Sequence, residues 1–286
     1  MIEEMDLSVL VTPTLQWYDQ HRRQLPWRKD KNPYHIWVSE IMLQQTRVEA
    51  VIPYYECFMQ ALPTIEALAE CEEDPLLKLW EGLGYYNRVR NMQKAAQLIC
   101  AQYDGQMPQT YEQIVALPGI GPYTAGAIAS IAYDERVPAV DGNVLRILAR
   151  VSEDDRDILK DATKKRMTAE LQQIMPEEAG AFNQALMEIG ALVCIPNGQP
   201  KCEECPWQPY CQACQHETYD RLPVKTKAKP RRIEEKTVLL IRDGEKIVLR
   251  KRPPKGLLAG LYELPNLPGY LKEEEVLAFV RSQNLE

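Results

Sequence analysis

Residues 117–146 read LPGIGPYTAGAIASIAYDERVPAVDGNVLR, and the organisation of the chain turns on them. The run reads as the end of one helix, a Gly-rich turn, a second helix, and an Asp-Gly-Asn that opens a third. Upstream, TYEQIVAL (110–117) places Thr110 and Gln113 in capping-box spacing ahead of an apolar face. Pro118-Gly119-Ile120-Gly121 then reverses the chain, and Pro122 suits the first position of a new helix. Both glycines let the backbone come close to another group, and the amides opening the second helix face outward with the positive end of its dipole. A phosphate is the natural ligand of such a turn. By itself PGIG is equally a tight connection between two helices. Asp141, one further helix along, shifts the reading towards function.

The combination of hairpin, spacing and Asp-Gly-Asn resembles the helix-hairpin-helix DNA glycosylase superfamily. In that superfamily the LPGIG turn grips a DNA strand and the following Asp performs catalysis. The resemblance makes Gly119 and Gly121 contacts to the DNA backbone.

Composition is compatible with this. The chain has 286 residues, 45% of them hydrophobic and 26% charged, enough for about two domains with a sizeable core. The amino terminus is acidic, no signal pattern precedes the first helix, and no run of eighteen apolar residues follows, so a cytoplasmic protein is expected. A net charge of −7 argues against general adhesion to nucleic acid, but a local basic face suffices to hold phosphates. Two basic clusters exist, His21-Arg22-Arg23 with Arg28, Lys29 and Lys31, and Lys225 to Arg232.

Helical patterns are expected over 8–23, 35–55, from Asp74-Pro75, over 87–103, and over 162–175 and 177–193, with no strand pattern among them. Cys57, Cys71 and Cys100 lie within such patterns and are expected to be small buried hydrophobes. The domain is therefore all-α, over 1–220, with the hairpin at 110–133. Residues 221–232 are Pro- and Lys-rich and read as a linker. From 233 the pattern changes to short β-rich runs joined at Asp243-Gly244, followed by a helix at 272–283.

Within 35–55, Glu40 shares an apolar face with Trp37 and Ile41. Either it reaches water from the edge of the stripe, or it is a desolvated acid suited to donating a proton near neutral pH. Asp141 is at a helix start, where an ordinary N-cap is the plain role and negative charge is favoured. One neutral and one ionised carboxyl are the recurring equipment for cleaving a glycosidic bond through an oxocarbenium-like transition state.

Six motifs bring the resemblance closer: LPWR (25–28), WVSEIMLQQT (37–46), GLGYYNRVRN (82–91), LPGIGPYTAGAI (117–128), VDGNVLRILAR (140–150) and FNQALMEIGALVC (182–194). Together they are similar to the MutY family of adenine DNA glycosylases over nearly all of 10–215. The resemblance implies double-stranded DNA bearing an A:8-oxoguanine or A:G mispair as partner, and a monomeric enzyme that flips out the adenine and hydrolyses its N-glycosidic bond. It makes Glu40 the general acid at adenine N7 and Asp141 the group that stabilises the sugar cation, supported by Tyr123 and Asn143. It places Trp27, Arg28 and Gln184 around the adenine, and Gln45, Thr46, Leu83 and Tyr85 at the base stack. Tyr86 is expected in the core.

Two other functions remain as alternatives. Endonuclease III is a glycosylase with lyase activity on oxidised pyrimidines, whose catalytic lysine lies in the hairpin's second helix. Tyr123 stands at that position here and cannot form a Schiff base, so a monofunctional enzyme is expected. The other alternative is a non-catalytic DNA-binding iron–sulfur protein, against which the presence of both Glu40 and Asp141 argues.

Cys194-x7-Cys202-x2-Cys205-x5-Cys211 resembles the family's [4Fe–4S] loop, although six residues are usual in the first gap. Zinc is the alternative, but it usually shows two close pairs, and only Cys202/Cys205 is one. Cys214 is expected to be a spectator, able at most to substitute as a ligand. Residues 233–286 resemble the start of a MutT-like (Nudix-fold) α+β domain, incomplete and without a Glu-rich hydrolase box. The loop that would contact 8-oxoguanine is absent, which implies weakened preference for 8-oxoguanine over guanine.

Overall fold

The computed structural model describes residues 5–226, 230–253 and 255–283. Residues 1–4 of the acidic amino terminus, 227–229 of the expected linker, and 284–286 lie outside the described residues. The chain divides into two compact units, Met1–Thr226 and Lys227–Glu286.

The first unit is helical throughout. A 3-10 turn, Leu7–Leu10, leads into α1 (Val11–His21), followed by α2 (Pro33–Leu43), α3 (Val48–Ala61), α4 (Ile65–Glu70), α5 (Glu73–Leu79) and α6 (Asn87–Tyr103). The hairpin is α7 (Tyr111–Val115) and α8 (Pro122–Tyr133), and α9 (Gly142–Val151), α10 (Asp161–Gln173) and α11 (Ala179–Glu188) complete the main body. A π turn, Ile189–Val193, runs from α11 into the cysteine loop, which ends in the single turn α12 (Gln212–Gln215).

Three expectations are corrected. Residues 35–55 are two helices rather than one, separated at 44–47, with Gln45 in a left-handed conformation at φ 63°. The helix expected from Asp74-Pro75 begins earlier, with Glu72 as N-cap and Pro75 inside the first turn. Cys57 is exposed, and Cys71 and Cys100 are half-buried, so none of the three is a core residue.

Two apolar cores lie side by side in this unit. One is built from a continuous stretch of sequence and centres on Trp37, Phe58, Trp80, Ile99 and Ile128. The other joins residues distant in sequence: Leu10 and Tyr18 near the amino terminus pack with Ile147, Met167, Phe182 and Trp207. Trp207 Nε1 donates to Thr14 Oγ1 at 2.7 Å, fastening the cysteine loop to α1.

Close backbone approaches lock the segment between α8 and α9. A Cβ on Gly126 would lie 2.4 Å from the Pro138 carbonyl oxygen, so only glycine lets α8 sit this close to it. Asn183, fully buried on α11, donates to Ser130 Oγ and the Val137 carbonyl and accepts from the Ala139 amide. Those bonds satisfy polar groups of an otherwise irregular segment and fix where Asp141 emerges.

The second unit holds three two-stranded antiparallel pairs and a helix, α13 (Glu273–Ser282). β1 (Lys236–Val238) pairs with β6 (Asn266–Pro268), β2 (Arg242–Asp243) with β3 (Lys246–Ile247), and β4 (Arg250–Lys251) with β5 (Tyr262–Glu263). Gly244, at φ 57°, makes the expected turn of the β2–β3 hairpin. Leu240, Ile247, Leu249, Leu257 and Tyr262 are exposed. Among the described residues no helix is long and apolar enough to cross a membrane.

Candidate active site

Glu40 is on α2, near the end of a helix that is buried almost all round, and only 6% of its surface is exposed. It does not reach water from the edge of an apolar stripe. Burial pushes its carboxyl up to about 7, against a hydrogen bond from Tyr123 and the charge of Arg28, while the Asp141 charge raises it further. Tyr123 Oη donates to Glu40 Oε2 at 2.8 Å. Burial, together with the Glu40 and Asp141 charges, holds the Tyr123 hydroxyl far above its ordinary range, so it serves as a donor and not as a base.

Asp141 is the N-cap of α9. Its Oδ1 accepts from the backbone amides of Asn143 and Val144, both at 2.8 Å, and its Oδ2 accepts from Asn143 Nδ2 at 2.7 Å. The plain capping role is thus real, and the carboxylate still faces the cavity. Arg146, one turn on, donates to Asn143 Oδ1 at 3.0 Å, to the Cys194 carbonyl at 3.0 Å and to the Gly190 carbonyl at 2.7 Å.

Glu40, Tyr123, Asp141 and Asn143 line one cavity of about 370 Å³ together with Trp27, Arg28, Thr46 and Gln184. This volume is ordinary for a small-molecule site. Gln45, Leu83 and Tyr85 are outside that lining. Tyr85 is 65% exposed with φ 45°, whereas Leu83 is buried in the neighbouring core, so a wedging role for Leu83 is not visible in the free protein. Tyr86 packs against that core as expected.

One residue that sequence reasoning passed over completes the cavity, and a second braces the surface beside it. Glu188, at the end of α11 and 1% exposed, accepts two bonds from Arg23, both at 2.8 Å, and one from Arg28 at 2.9 Å. Burial would raise its carboxyl, but the Arg23 hydrogen bonds and the two guanidinium charges outweigh this and hold it below the usual range. Arg23 and Arg28 therefore belong to a buried ion-pair network and not to a solvated basic face. Replacing Glu188 with Ala leaves both cations partly buried without their partner, and about 3 kcal/mol of stability should be lost in urea denaturation.

Arg88 organises the surface beside the cavity. Its Nη1 donates to the carbonyls of Ile41, Met42 and Gln44, and its Nη2 to those of Leu83 and Gly84. The guanidinium also lies over the rings of Trp80 and Tyr85. One side chain thus binds the end of α2 to the Gly82–Gly84 turn. An Arg88→Ala change orphans these acceptors and should cost about 2–4 kcal/mol in thermal or urea unfolding.

At the hairpin, Gly119 has φ 76°, and a Cβ there would sit 2.6 Å from Asn91 Cβ. Gly121 differs: its φ is −92°, and a Cβ would meet nothing within 4 Å. The close approach at Gly119 is to the protein itself. At Gly121 the open space lies at the N-cap of α8, where its first amides face outward.

Cys194, Cys202, Cys205, Cys211 and Cys214 line a single cavity beside Arg150. Cys214, expected as a spectator, is among them. Arg150 Nη1 donates to Cys194 Sγ at 3.3 Å and to the Ile195 carbonyl at 2.9 Å, as a cation would beside thiolates. Among the described residues, no three Cys, His, Asp or Glu side chains converge around a point that could hold one metal ion.

A helix-hairpin-helix body with two acids over one cavity defines a class, and the comparisons agree with it. Residues 38–177 match the HhH-GPD superfamily base excision DNA repair proteins. Adenine DNA glycosylase from Rattus norvegicus is 37% identical over 92% of this chain and 61% of its own length. The Homo sapiens adenine DNA glycosylase is 37% identical over 88% and 56% respectively. That of Buchnera aphidicola subsp. Schizaphis graminum is 36% identical over 96% and 79%. The chain belongs to the adenine DNA glycosylase family. It spans 61% and 56% of the length of the rat and human relatives.

Among solved structures, a thermostable thymine-DNA glycosylase is 26% identical with a TM-score of 0.66, covering 74% of this chain and 97% of that one. A trapped endonuclease III–DNA covalent intermediate, 20% identical, has a TM-score of 0.63 over 76% of this chain and 100% of the other, which shows the shared fold.

Proposed function

We propose that this chain removes adenine mispaired with 8-oxoguanine or guanine from double-stranded DNA, by hydrolysing the N-glycosidic bond without cutting the strand. The observation that carries this is the pair of acids on one cavity, with Glu40 held near 7 and bonded at one oxygen by Tyr123. The flipped adenine enters between Trp27, Arg28 and Gln184. Neutral Glu40 donates its proton to adenine N7 as the bond from C1′ to N9 breaks and its electron pair passes to the base. The Asp141 carboxylate stabilises the positive charge on the sugar, water adds at C1′, and its proton passes to a carboxylate. Asn143 and the α9 amides hold Asp141 in place throughout. On the DNA side, the α8 amino terminus at Gly121 receives a phosphate, and Gln45, Thr46 and Tyr85 meet the base stack.

Cys194, Cys202, Cys205 and Cys211 would hold a [4Fe–4S] cluster. When bound, it supplies a rigid cross-link for the loop, and the hydrolysis itself transfers no electrons. Arg146 bonds both the loop's first carbonyl and Asn143, so order in the loop supports order at Asp141.

Single-turnover release of adenine from duplexes carrying A:8-oxoguanine, A:G or A:T tests the proposal. Release from the two mispairs, and none from A:T, is the expected result. Strand scission on an oxidised pyrimidine with an enzyme–DNA adduct trapped by borohydride would replace it with the endonuclease III-like activity. Tight mismatch binding without release would leave the non-catalytic alternative.

A further inference from the structure

Two exposed residues other than glycine take left-handed backbone conformations in neighbouring turns, Gln45 at φ 63° and Tyr85 at φ 45°. Such conformations are unfavourable for a residue with a side chain, and they persist only where surrounding groups enforce them. One side chain meets both turns. Arg88 Nη1 donates to the Gln44 carbonyl at 2.8 Å, and its Nη2 donates to the Gly84 carbonyl at 3.2 Å. Each of these carbonyls lies in the rigid peptide plane that ends at the nitrogen of Gln45 or Tyr85, so holding its direction constrains φ of that residue. Trp80 Nε1 gives the Gly84 carbonyl a second bond at 3.1 Å, and the Arg88 amide donates to the Tyr85 carbonyl at 2.9 Å. The Tyr85 ring in turn lies over the guanidinium, 5.9 Å from Cζ to its centroid. Among the described residues, the guanidinium makes hydrogen bonds only to main-chain carbonyls.

We propose that Arg88 is a positioning residue for base selection, holding Gln45 and Tyr85 in their left-handed conformations as one rigid pair that meets the duplex already set. This rests on the adenine-removal reading above, in which those two side chains meet the base stack. Arg88 itself does not line the cavity, so its effect reaches the reaction through Gln45 and Tyr85. Both exposed turns are ordered before DNA arrives, and none of the binding energy goes into arranging them. The geometry requires arginine. The two terminal nitrogens of its planar fork serve different turns, whereas a lysine carries one nitrogen and can hold one turn only.

The test is single-turnover adenine release by the full chain from a duplex with one A:8-oxoguanine pair, with folding checked by urea denaturation. Arg88→Lys should release adenine roughly tenfold more slowly, the scale set by one strained turn left unordered. In a chain that already carries Gln45→Ala and Tyr85→Ala, the same substitution should cost less than about threefold, because the groups it positions are gone. The alkaline limb of the rate, set by Glu40, should stay where it is. A loss that persists undiminished in that background overturns the proposal and leaves Arg88 a structural brace. So does a displaced alkaline limb, which would route the effect through α2 to Glu40, and so does an Arg88→Lys rate equal to the wild type. Gly84→Ala keeps the test open where Arg88→Lys does not fold. Alanine is strained at φ 69°, but a Cβ there meets nothing within 4 Å, so the held peptide is disturbed without touching the core. Its release should also slow, and the loss should shrink in the same double-alanine background; an undiminished loss overturns the proposal. Two other results bear on the earlier reading alone. Wild-type release from the Gln45→Ala, Tyr85→Ala chain would refute their place at the base stack, and a wild type that releases no adenine would refute the activity.

Discussion

Replacing Asp141 with Asn should reduce single-turnover adenine release by about a thousandfold or more, equivalent to roughly 4 kcal/mol of transition-state stabilisation. The change is close to isosteric, and Asn is as good an N-cap as Asp, so Oδ1 can still accept from the Asn143 and Val144 amides. What is lost is the negative charge facing the sugar cation. The position of Oδ2 is also altered, because an amide NH₂ there confronts the NH₂ of Asn143 where a carboxylate oxygen accepted from it. Stability should fall by about 1 kcal/mol or less, since the capping bonds survive. A variant that folds normally, binds mismatched duplex and releases adenine at the wild-type rate would remove Asp141 from the chemistry.

Glu40→Gln should lower release by a factor of about 10²–10⁴, the usual worth of a positioned general acid. The amide can accept the Tyr123 hydrogen bond but has no acidic proton to give. The pH dependence carries the sharper expectation. Glu40 acts in its protonated form and its carboxyl is held at about 7, so the wild-type rate should fall as pH rises through about 7. Tyr123→Phe removes a hydrogen bond that lowers the Glu40 value, so its alkaline limb should move to higher pH. Stability follows the same sign. A carboxyl whose folded value exceeds its unfolded one favours the native state at low pH, and that contribution is lost as pH rises from about 4.5 through about 7. Glu40→Gln should flatten this part of the stability profile. An alkaline limb unchanged in Tyr123→Phe would separate the pH dependence from Glu40.

The hairpin, the Asp141 cap and the cysteine loop were legible because their spacing is local: each is set by residues within a few positions along the chain. Glu188 was not. Its partners are Arg23 and Arg28, 165 and 160 residues away, and in sequence it is one charge at the end of an amphipathic helix. The break at 44–47 escaped for a related reason. The apolar period continues across it, whereas a tertiary partner turns the chain, with Arg88 holding the carbonyls of Ile41, Met42 and Gln44. Asn183 likewise reads as a polar residue in FNQALMEIG, and only the irregular segment passing at 137–139 makes it a buried anchor. Glu40 was the exception, a distant-acting residue betrayed by its position on an apolar face.

The two side-by-side cores bear on how the protein is made. Most of one core lies between Leu25 and Ala129 and can assemble while synthesis is under way. The other must bring Leu7–Tyr18 together with Val144–Trp207, so it waits for nearly all of the first unit to leave the ribosome. Asp141 and Glu188 come with the late core and Glu40 with the early one. The cavity therefore closes at the last step of folding, and a nascent chain carries one acid without the other. Limited proteolysis of chains stalled just after residues 25–129 have cleared the ribosome should find that stretch protected and 7–18 cleavable; protection of both would show that the amino-terminal helix docks elsewhere first.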